Sequence, residues 1–270
     1  MIDKSDAIVM RIFPFSRTSH IVSWLAEDGS QIVTSVKGAT RSKSAFLGQY
    51  DLFYTCELLY YTHASNGVHI ARECTPLVCR EKLRTNWRAE QCASWFTALA
   101  YTLASNNTAD PALYRLLAET LDFVSASDYA PPPIVFARFE AKILDLAGIS
   151  PNFSSCPLGH ETPDADPFRF NLASGSRFCP EHSLSDYGDP MISVSTRTVD
   201  LYNEVVHSTS LGPQSTVAKI HGPAVFALLR FLGLFMRYHL DSVPIDGRAI
   251  ALKALAGPSD LLVNGRPEQV

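Results

Sequence analysis

Four cysteine and histidine side chains lie close together in the second half of the chain. Cys156, His160, Cys179 and His182 have the spacing C-x3-H-x18-C-x2-H. Thiolate and imidazole are ligands that zinc prefers, and each close pair can occupy one edge of a tetrahedron. Although chance could place four such residues here, it rarely arranges them as two close pairs. The spacing therefore predicts a zinc site, and four protein ligands would make it structural because no position remains for a substrate.

A catalytic zinc is the alternative to a structural one. Zinc deaminases need H-x-E followed by P-C-x-x-C. Here His160 is followed by Glu161 and Thr162, and Cys179 is preceded by Phe178, so neither pattern is present. The chain also has no H-E-x-x-H sequence. The residues therefore favour a structural metal.

A second group of residues could bind phosphate. The sequence VKGATRSKS places Lys37, Arg41 and Lys43 among Gly, Ser and Thr, whose small size lets the backbone approach a phosphate. Arg11 and Arg17 add charge on and after the first predicted strand. The alternative is an ordinary solvated loop. No G-x-x-x-x-G-K-[ST] pattern occurs, which excludes a nucleotide-hydrolysing phosphate loop.

Composition and charge limit the possible classes of protein. The 270 residues are 46% hydrophobic and 19% charged, as in globular proteins, which excludes a disordered, collagen-like or disulfide-scaffold chain. The net charge is −4, with +3 over residues 1–88, −8 over residues 89–190 and +1 over residues 191–270. A polyanion would be repelled by the middle of the chain and tolerated by its N-terminal part.

Two stretches resemble membrane spans at first sight, residues 91–109 and 224–240. The first is rich in Ser, Thr, Asn and Gln, and the second contains Arg230, Arg237 and His239. Both therefore predict buried helices. The first thirteen residues show no secretory signal. We expect a cytoplasmic protein that does not contact a membrane.

The elements that must position these residues begin with β structure. Asp28-Gly29 and Asn66-Gly67 are hairpin-type turn signals between runs rich in Val, Ile and aromatic residues. Five short strands in about 70 residues predict a small closed barrel, for which the OB-fold is the common solution. The predicted strands are residues 7–13, 20–26, 31–36, 52–61 and 68–74.

Helical periodicity replaces the strand pattern after residue 77. Asp110-Pro111 is a helix start, and Gly148 is expected to end a later helix. We predict an α+β protein with an OB-fold domain over residues 1–77 and a helical domain over residues 78–256. A zinc-binding loop with little secondary structure is inserted at about 150–190, and residues 257–270 form a flexible tail. The predicted helices include one with Trp95, Phe96, Leu99 and Leu103 on one face, one from 111 to about 124, and ones over 134–147, 199–207 and 223–240.

Several segments together resemble the bacterial RecO family of recombination mediators. They cover nearly the whole chain in the expected order. Zinc-bearing members carry two C-x-x-C pairs, whereas this chain has Gly159 followed by His160 in the first pair and His182 at the end of the second. The segments are residues 7–11, 21–25 with Gly29, 36–39 with 41–44, 144–153 and 229–240.

The resemblance implies a non-enzymatic, nucleoid-associated DNA repair protein. It implies binding to single- and double-stranded DNA, annealing of complementary strands, and work with RecR to load RecA onto DNA coated by single-strand-binding protein. A barrel with a basic loop agrees with this, because it can bind single strands through charge and stacking. The expected DNA-binding residues are Arg11, Arg17, Lys37, Arg41 and Lys43, with Phe13, Phe15, Phe46 and Tyr50 nearby.

Two other functions remain open from the residues. A zinc-dependent hydrolase would need an open metal position and a general base, neither of which is evident. A protein-interaction adaptor could use the acidic helices without touching DNA. Arg230 and Arg237 share a helix face. They contact the acidic tail of single-strand-binding protein, form the solvent-exposed side of a core helix, or pair with local acidic residues.

Overall fold

The chain folds into two compact units. The computed structural model describes residues 1–62, 67–106, 109–126, 128–156, 165–179, 190–211, 215–240 and 245–255. One unit is Met1–Ala130 together with the chain from Asp246, and the other is Pro131–Ile245. The predicted tail, residues 257–270, lies outside the described residues.

Five strands close into a barrel in the first unit. The order around the barrel is β1-β2-β3-β5-β4, so the predicted five-stranded barrel is present. All neighbouring strands are antiparallel except β3 and β5. These two are parallel, with Thr34 opposite His69 and Ser35 opposite Ile70. The strands are β1 (Ile2–Pro14), β2 (His20–Ala26), β3 (Gln31–Val36), β4 (Thr55–Tyr61) and β5 (His69–Val78).

The barrel core follows from the alternation of side chains along the strands. In β3, Ile32, Thr34 and Val36 are buried while the residues between them are partly exposed. Trp24 is completely buried, and its indole Nε1 donates a hydrogen bond to Thr34 Oγ1 at 2.9 Å. This bond satisfies a donor that would otherwise be costly to bury.

The fourth strand begins three residues later than the sequence predicts. Residues 51–54 form a turn in which Phe53 has φ +69°, and Phe53 and Tyr54 bond instead to the backbone of Val9. The apolar run from residue 52 resembles strand sequence, but a positive φ is incompatible with a regular strand.

Three helices pack in the same unit as the barrel: α1 (Trp87–Asn106), α2 (Pro111–Ala126) and α6 (Ile245–Leu255). Asp110 caps α2 as predicted, accepting a hydrogen bond from the backbone N–H of Ala112 at 2.8 Å. The sequence pattern did not predict α6. We attribute this to Gly247 and a weakly periodic sequence.

Arg80 is one reason why this unit continues past the predicted domain boundary at residue 77. Its buried guanidinium bonds to Asp122 of α2 at 2.7 Å, to Thr55 Oγ1 at 3.1 Å and to the carbonyl of Phe53. Burial lowers the pKa of Arg80, and the Asp122 carboxylate opposes that shift. The change from strand to helix therefore does not coincide with the division into units.

The second unit surrounds a cluster of aromatic rings. The ring of Phe153 lies 5.4 Å from that of Phe170 and 5.3 Å from those of Tyr202 and Phe231. Its helices are α3 (Pro133–Leu146), α4 (Thr196–His207) and α5 (Pro223–His239). No helix in the described residues combines the length and hydropathy needed to cross a bilayer.

The segment between helices α3 and α4, predicted to hold a loop with little secondary structure, contains short strands. A three-stranded sheet in the order β7-β6-β8 lies there, formed by β6 (Phe168–Asn171), β7 (Ser176–Arg177) and β8 (Met191–Val194). Such strands are too short to show a clear period of two. Phe168 and Phe170 are nevertheless buried, so the segment contributes to the core.

We predict that Gly29→Ala destabilises the first unit. Gly29 has φ +85°, and a Cβ there would overlap the backbone carbonyl of Asp110. The left-handed conformation alone costs about 1–2 kcal/mol, and the overlap adds to this cost. Urea unfolding measures the loss.

Gly67→Ala is the matched control for this substitution. Gly67 has φ +67°, and within the described part of the chain no atom other than those of its neighbours in sequence lies within 4 Å of the added Cβ, so it reports the conformational cost alone. Equal losses of unfolding free energy in the two variants would show that the contact with Asp110 does not matter.

Candidate nucleic-acid interface

Two loops lie side by side at one end of the barrel. They are residues 15–19, between β1 and β2, and residues 37–50, after β3; we refer to them as the paired loops. The backbone N–H of Thr40 donates to the carbonyl of Thr18 at 3.2 Å, and that of Gly38 donates to Ser19 Oγ at 3.3 Å. These bonds bring two basic segments together.

The loop after β3 consists of successive turns. Arg41 N–H donates to the carbonyl of Gly38 at 3.1 Å, and Ser44 N–H donates to that of Arg41 at 2.9 Å. Gly38 has φ +69°, and a Cβ there would lie 3.3 Å from Cδ of Arg41. The glycine therefore permits both the turn and the close packing of the Arg41 side chain over it.

Two aromatic side chains anchor this loop to the barrel. Phe46 and Tyr50 pack against the barrel core, and the ring of Tyr50 lies 5.9 Å from that of Trp24. The Tyr50 hydroxyl is hydrogen-bonded to Nδ1 of His20 at 2.8 Å. Burial raises the pKa of Tyr50 to about 12, so the phenol is neutral at physiological pH.

Four of the five predicted DNA-binding cations lie on the paired loops. Arg17, Lys37, Arg41 and Lys43 are all exposed. Among the described residues, none of these four side chains forms an ion pair with a carboxylate. Their charges are therefore available to an anion from solution.

Arg11 is placed differently from the other four. Its guanidinium carbon lies 3.7 Å from the centre of the Tyr101 ring, and the side chain is only partly exposed. Arg11 is within β1, opposite Ser23, and α1 supplies Tyr101. Arg11 therefore packs on an aromatic ring and does not belong to the group of cations on the paired loops.

The sequence around the paired loops contains no acidic residue. Residues 7–26 and 29–50 hold five basic side chains and no Asp or Glu. The next carboxylate along the chain, Asp51, forms an ion pair with Arg84. Local sequence therefore leaves the positive charge of the loops uncompensated.

Exposed aromatic rings accompany the cations. Phe13, near the end of β1, is 50% exposed, and Phe15 in the first paired loop is 68% exposed. Phe46 and Tyr50 instead serve as anchors. The sequence suggested an aromatic group near the cations but did not separate its exposed members from its buried ones.

The predicted metal ligands are only partly described. Cys156 and Cys179 are buried, whereas His160 and His182 lie outside the described residues. A parallel bridge joins Asn152 to Ser176, so the two segments run in the same direction toward the two cysteines. Within the described residues no three His, Cys, Asp or Glu side chains cluster as metal ligands.

Arg230 of the second unit lines a cavity of about 460 Å³. Its other walls come from β8, Thr198 of α4 and the apolar side chains of Phe231 and Leu234. The sequence could not predict this cavity, because it depends on how β8 packs beside α5. Arg237 is exposed on the same helix.

Comparison with known proteins identifies the family. Residues 84–249, more than half of the chain, match the model of the recombination protein O C-terminal region. This chain belongs to the RecO family. A DNA repair protein RecO of Alkaliphilus metalliredigens is 22% identical over 94% of the chain and all of its own length. That of Dehalococcoides mccartyi is 26% identical over 74% of the chain and 77% of its own length.

We predict that Tyr50→Phe loosens the second of the paired loops, residues 37–50. The substitution keeps the ring but removes the hydrogen bond to His20, whose net value is about 1 kcal/mol. Local opening should then be about fivefold more frequent. Limited trypsin digestion should show faster cleavage after Arg41 and Lys43.

Tyr61→Phe provides the control, because Tyr61 lies on β4 and is 43% exposed. Its cleavage pattern should match that of the unsubstituted chain. Unchanged cleavage at the loop in Tyr50→Phe would mean that the His20–Tyr50 bond does not anchor it.

Proposed function

We propose that the paired loops bind the phosphate backbone of single- and double-stranded DNA. A role in DNA repair and recombination is what membership of the RecO family supports. The observation that carries the finer proposal is the gathering of Arg17, Lys37, Arg41 and Lys43 in solvent at one end of the barrel. Cations on a small barrel, here assigned as an OB-fold, suit binding that is tolerant of sequence.

The binding is electrostatic in this proposal. Each cation that neutralises a phosphate releases a condensed counterion, so affinity falls as salt rises. Four such contacts give a slope of about −3 in log K against log salt for a single strand. Annealing of complementary strands follows when two strands are neutralised on the same protein, and it needs no bond chemistry.

The partners proposed for this chain are those of a recombination mediator. They are RecR, single-strand-binding protein and, indirectly, RecA. Arg230 supports a place for the acidic tail of single-strand-binding protein, because it lines a cavity that also has apolar side chains in its walls. DNA binding would also associate the protein with the nucleoid in the cytoplasm.

We also propose a structural zinc ion in the second unit, held by Cys156, His160, Cys179 and His182. The two cysteines fit this role because they are buried and their segments run side by side. The ion would add stability to a segment whose described residues form only short strands. It supplies no chemistry to DNA binding.

Charge reversal should strongly weaken DNA binding if the paired loops form the interface. We expect K37E/R41E/K43E to weaken binding of a fluorescent single strand at least a hundredfold, because three phosphate contacts become repulsive. The slope of log K against log salt should become shallower, from about −3 to about −1. Fluorescence anisotropy at several salt concentrations measures both quantities.

R115E/R197E/K219E is the matched control, since it changes total charge equally at three exposed positions outside the paired loops. It should retain most of the affinity. Similar losses in the two triple variants would point to total charge, and an unchanged affinity in K37E/R41E/K43E would refute the interface.

Removal of the metal should destabilise the protein, although none of the proposed metal ligands is a proposed DNA-binding residue. We expect about one zinc per chain by elemental analysis, and much less in C156S/C179S. A strong chelator should lower the melting temperature of the unsubstituted protein but not that of C156S/C179S. The zinc site would be contradicted if the purified protein contained no zinc and if the chelator left the melting temperature of the unsubstituted protein unchanged.

A further inference from the structure

The most informative unexplained feature is a pair of exposed phenylalanines beside the cations. Phe13 and Phe15 are 50% and 68% exposed. Within the described residues, neither ring stacks on another aromatic ring or lies beneath a cation. Exposure of two large apolar rings to water is unfavourable, and neighbouring exposed apolar side chains often mark a binding site.

The backbone sets the spacing of the Cα atoms that carry these rings. Phe13 and Pro14 end β1, and a residue that precedes proline is restricted to extended conformations. Two extended residues separate the Cα atoms of Phe13 and Phe15 by about 6.6 Å. Ile12 packs toward the barrel core, so the alternation of the strand directs Phe13 outward.

The turn that follows is held by hydrogen bonds. The backbone N–H groups of Phe15 and Ser16 both donate to the carbonyl of Ser19, at 2.9 and 3.3 Å. The next residues bond to the cationic loop through Thr18 and Ser19. Phe15 and the cations are therefore carried by backbone segments that hydrogen bonds join directly.

We propose that Phe13 and Phe15 stack on an unpaired base and thereby select single strands over duplex. One base stacked between two rings needs the rings about 6.8 Å apart. Side chains whose Cα atoms are about 6.6 Å apart can provide such a gap. The faces of bases inside a duplex are already stacked and cannot enter this gap. The loop cations hold the adjacent phosphates of either form.

This inference rests on the proposed function, because the cations must first bring the nucleic acid to the rings. The two make separable predictions. Phosphate binding by the cations is common to single strands, duplexes and strands that lack bases. Stacking by the phenylalanines adds affinity only where an unpaired base is present.

The test compares three ligands of equal length: a fluorescent oligothymidylate, an abasic strand and a duplex. F13A/F15A should bind oligothymidylate about tenfold more weakly, in line with the loss of one base–aromatic stack. Its affinities for the abasic strand and the duplex should not change. K37E/R41E/K43E should lose affinity for all three ligands.

Two further variants distinguish a loss of stacking from a general effect of removing exposed apolar side chains. F226A removes a ring that is 60% exposed on α5, and it should behave like the unsubstituted protein. F13L/F15L keeps apolar bulk but has no aromatic face, so it should also lose preference for oligothymidylate. Circular dichroism melting checks that each variant is folded.

The outcomes separate the two proposals. The stacking role is overturned if F13A/F15A binds oligothymidylate normally, or loses as much affinity for the abasic strand as for oligothymidylate. The proposed function itself fails if the unsubstituted protein binds none of the three ligands at low salt.

Discussion

Ser19 and Gly38 are nineteen residues apart in the chain, yet a hydrogen bond joins them, and Thr40 bonds to the neighbouring Thr18. These few bonds bring the cations of the two loops together. Arg17 belongs to the first loop, and Lys37, Arg41 and Lys43 belong to the second. Without the connection, two short basic segments would move independently, and each would meet a phosphate alone.

The net charge of the chain is a poor guide to what this surface binds. The protein carries −4 overall, but residues 29–50 contain three cations and no carboxylate. In physiological salt, charges act over a Debye length of about 8 Å, so a phosphate near the loops responds mainly to local side chains. Asp51, the first acid after this segment, is already paired with Arg84. A polyanion can therefore bind a protein of negative net charge.

Sequence reasoning succeeded where local rules determine structure. β2 and β3 have the predicted bounds, and Asp110 caps α2, because alternation and capping depend on neighbouring residues. It failed where distant contacts decide. The turn at Phe53, whose backbone bonds to Val9, and the short strands β6 to β8 depend on partners that no local pattern reveals.

The candidate site shows the same division. The cluster of basic residues is visible in the sequence, but the role of Arg11 is not, because Tyr101 reaches it from a helix that begins seventy-six residues later, at Trp87.

The aromatic residues near the cations show why residue type alone does not define an interface. Phe46 and Tyr50 are tied to the core, and Tyr50 is bonded to His20, so they hold the loop. Phe13 and Phe15 are exposed. The side chain of Phe13 points away from the core because side chains alternate along β1, and Phe15 follows the end of β1 at Pro14. Anchoring and recognition place opposite demands on a ring, since one requires burial and the other requires an open face. The course of the backbone past Pro14 and through residues 38–50 decides which of these rings are buried and which keep an open face.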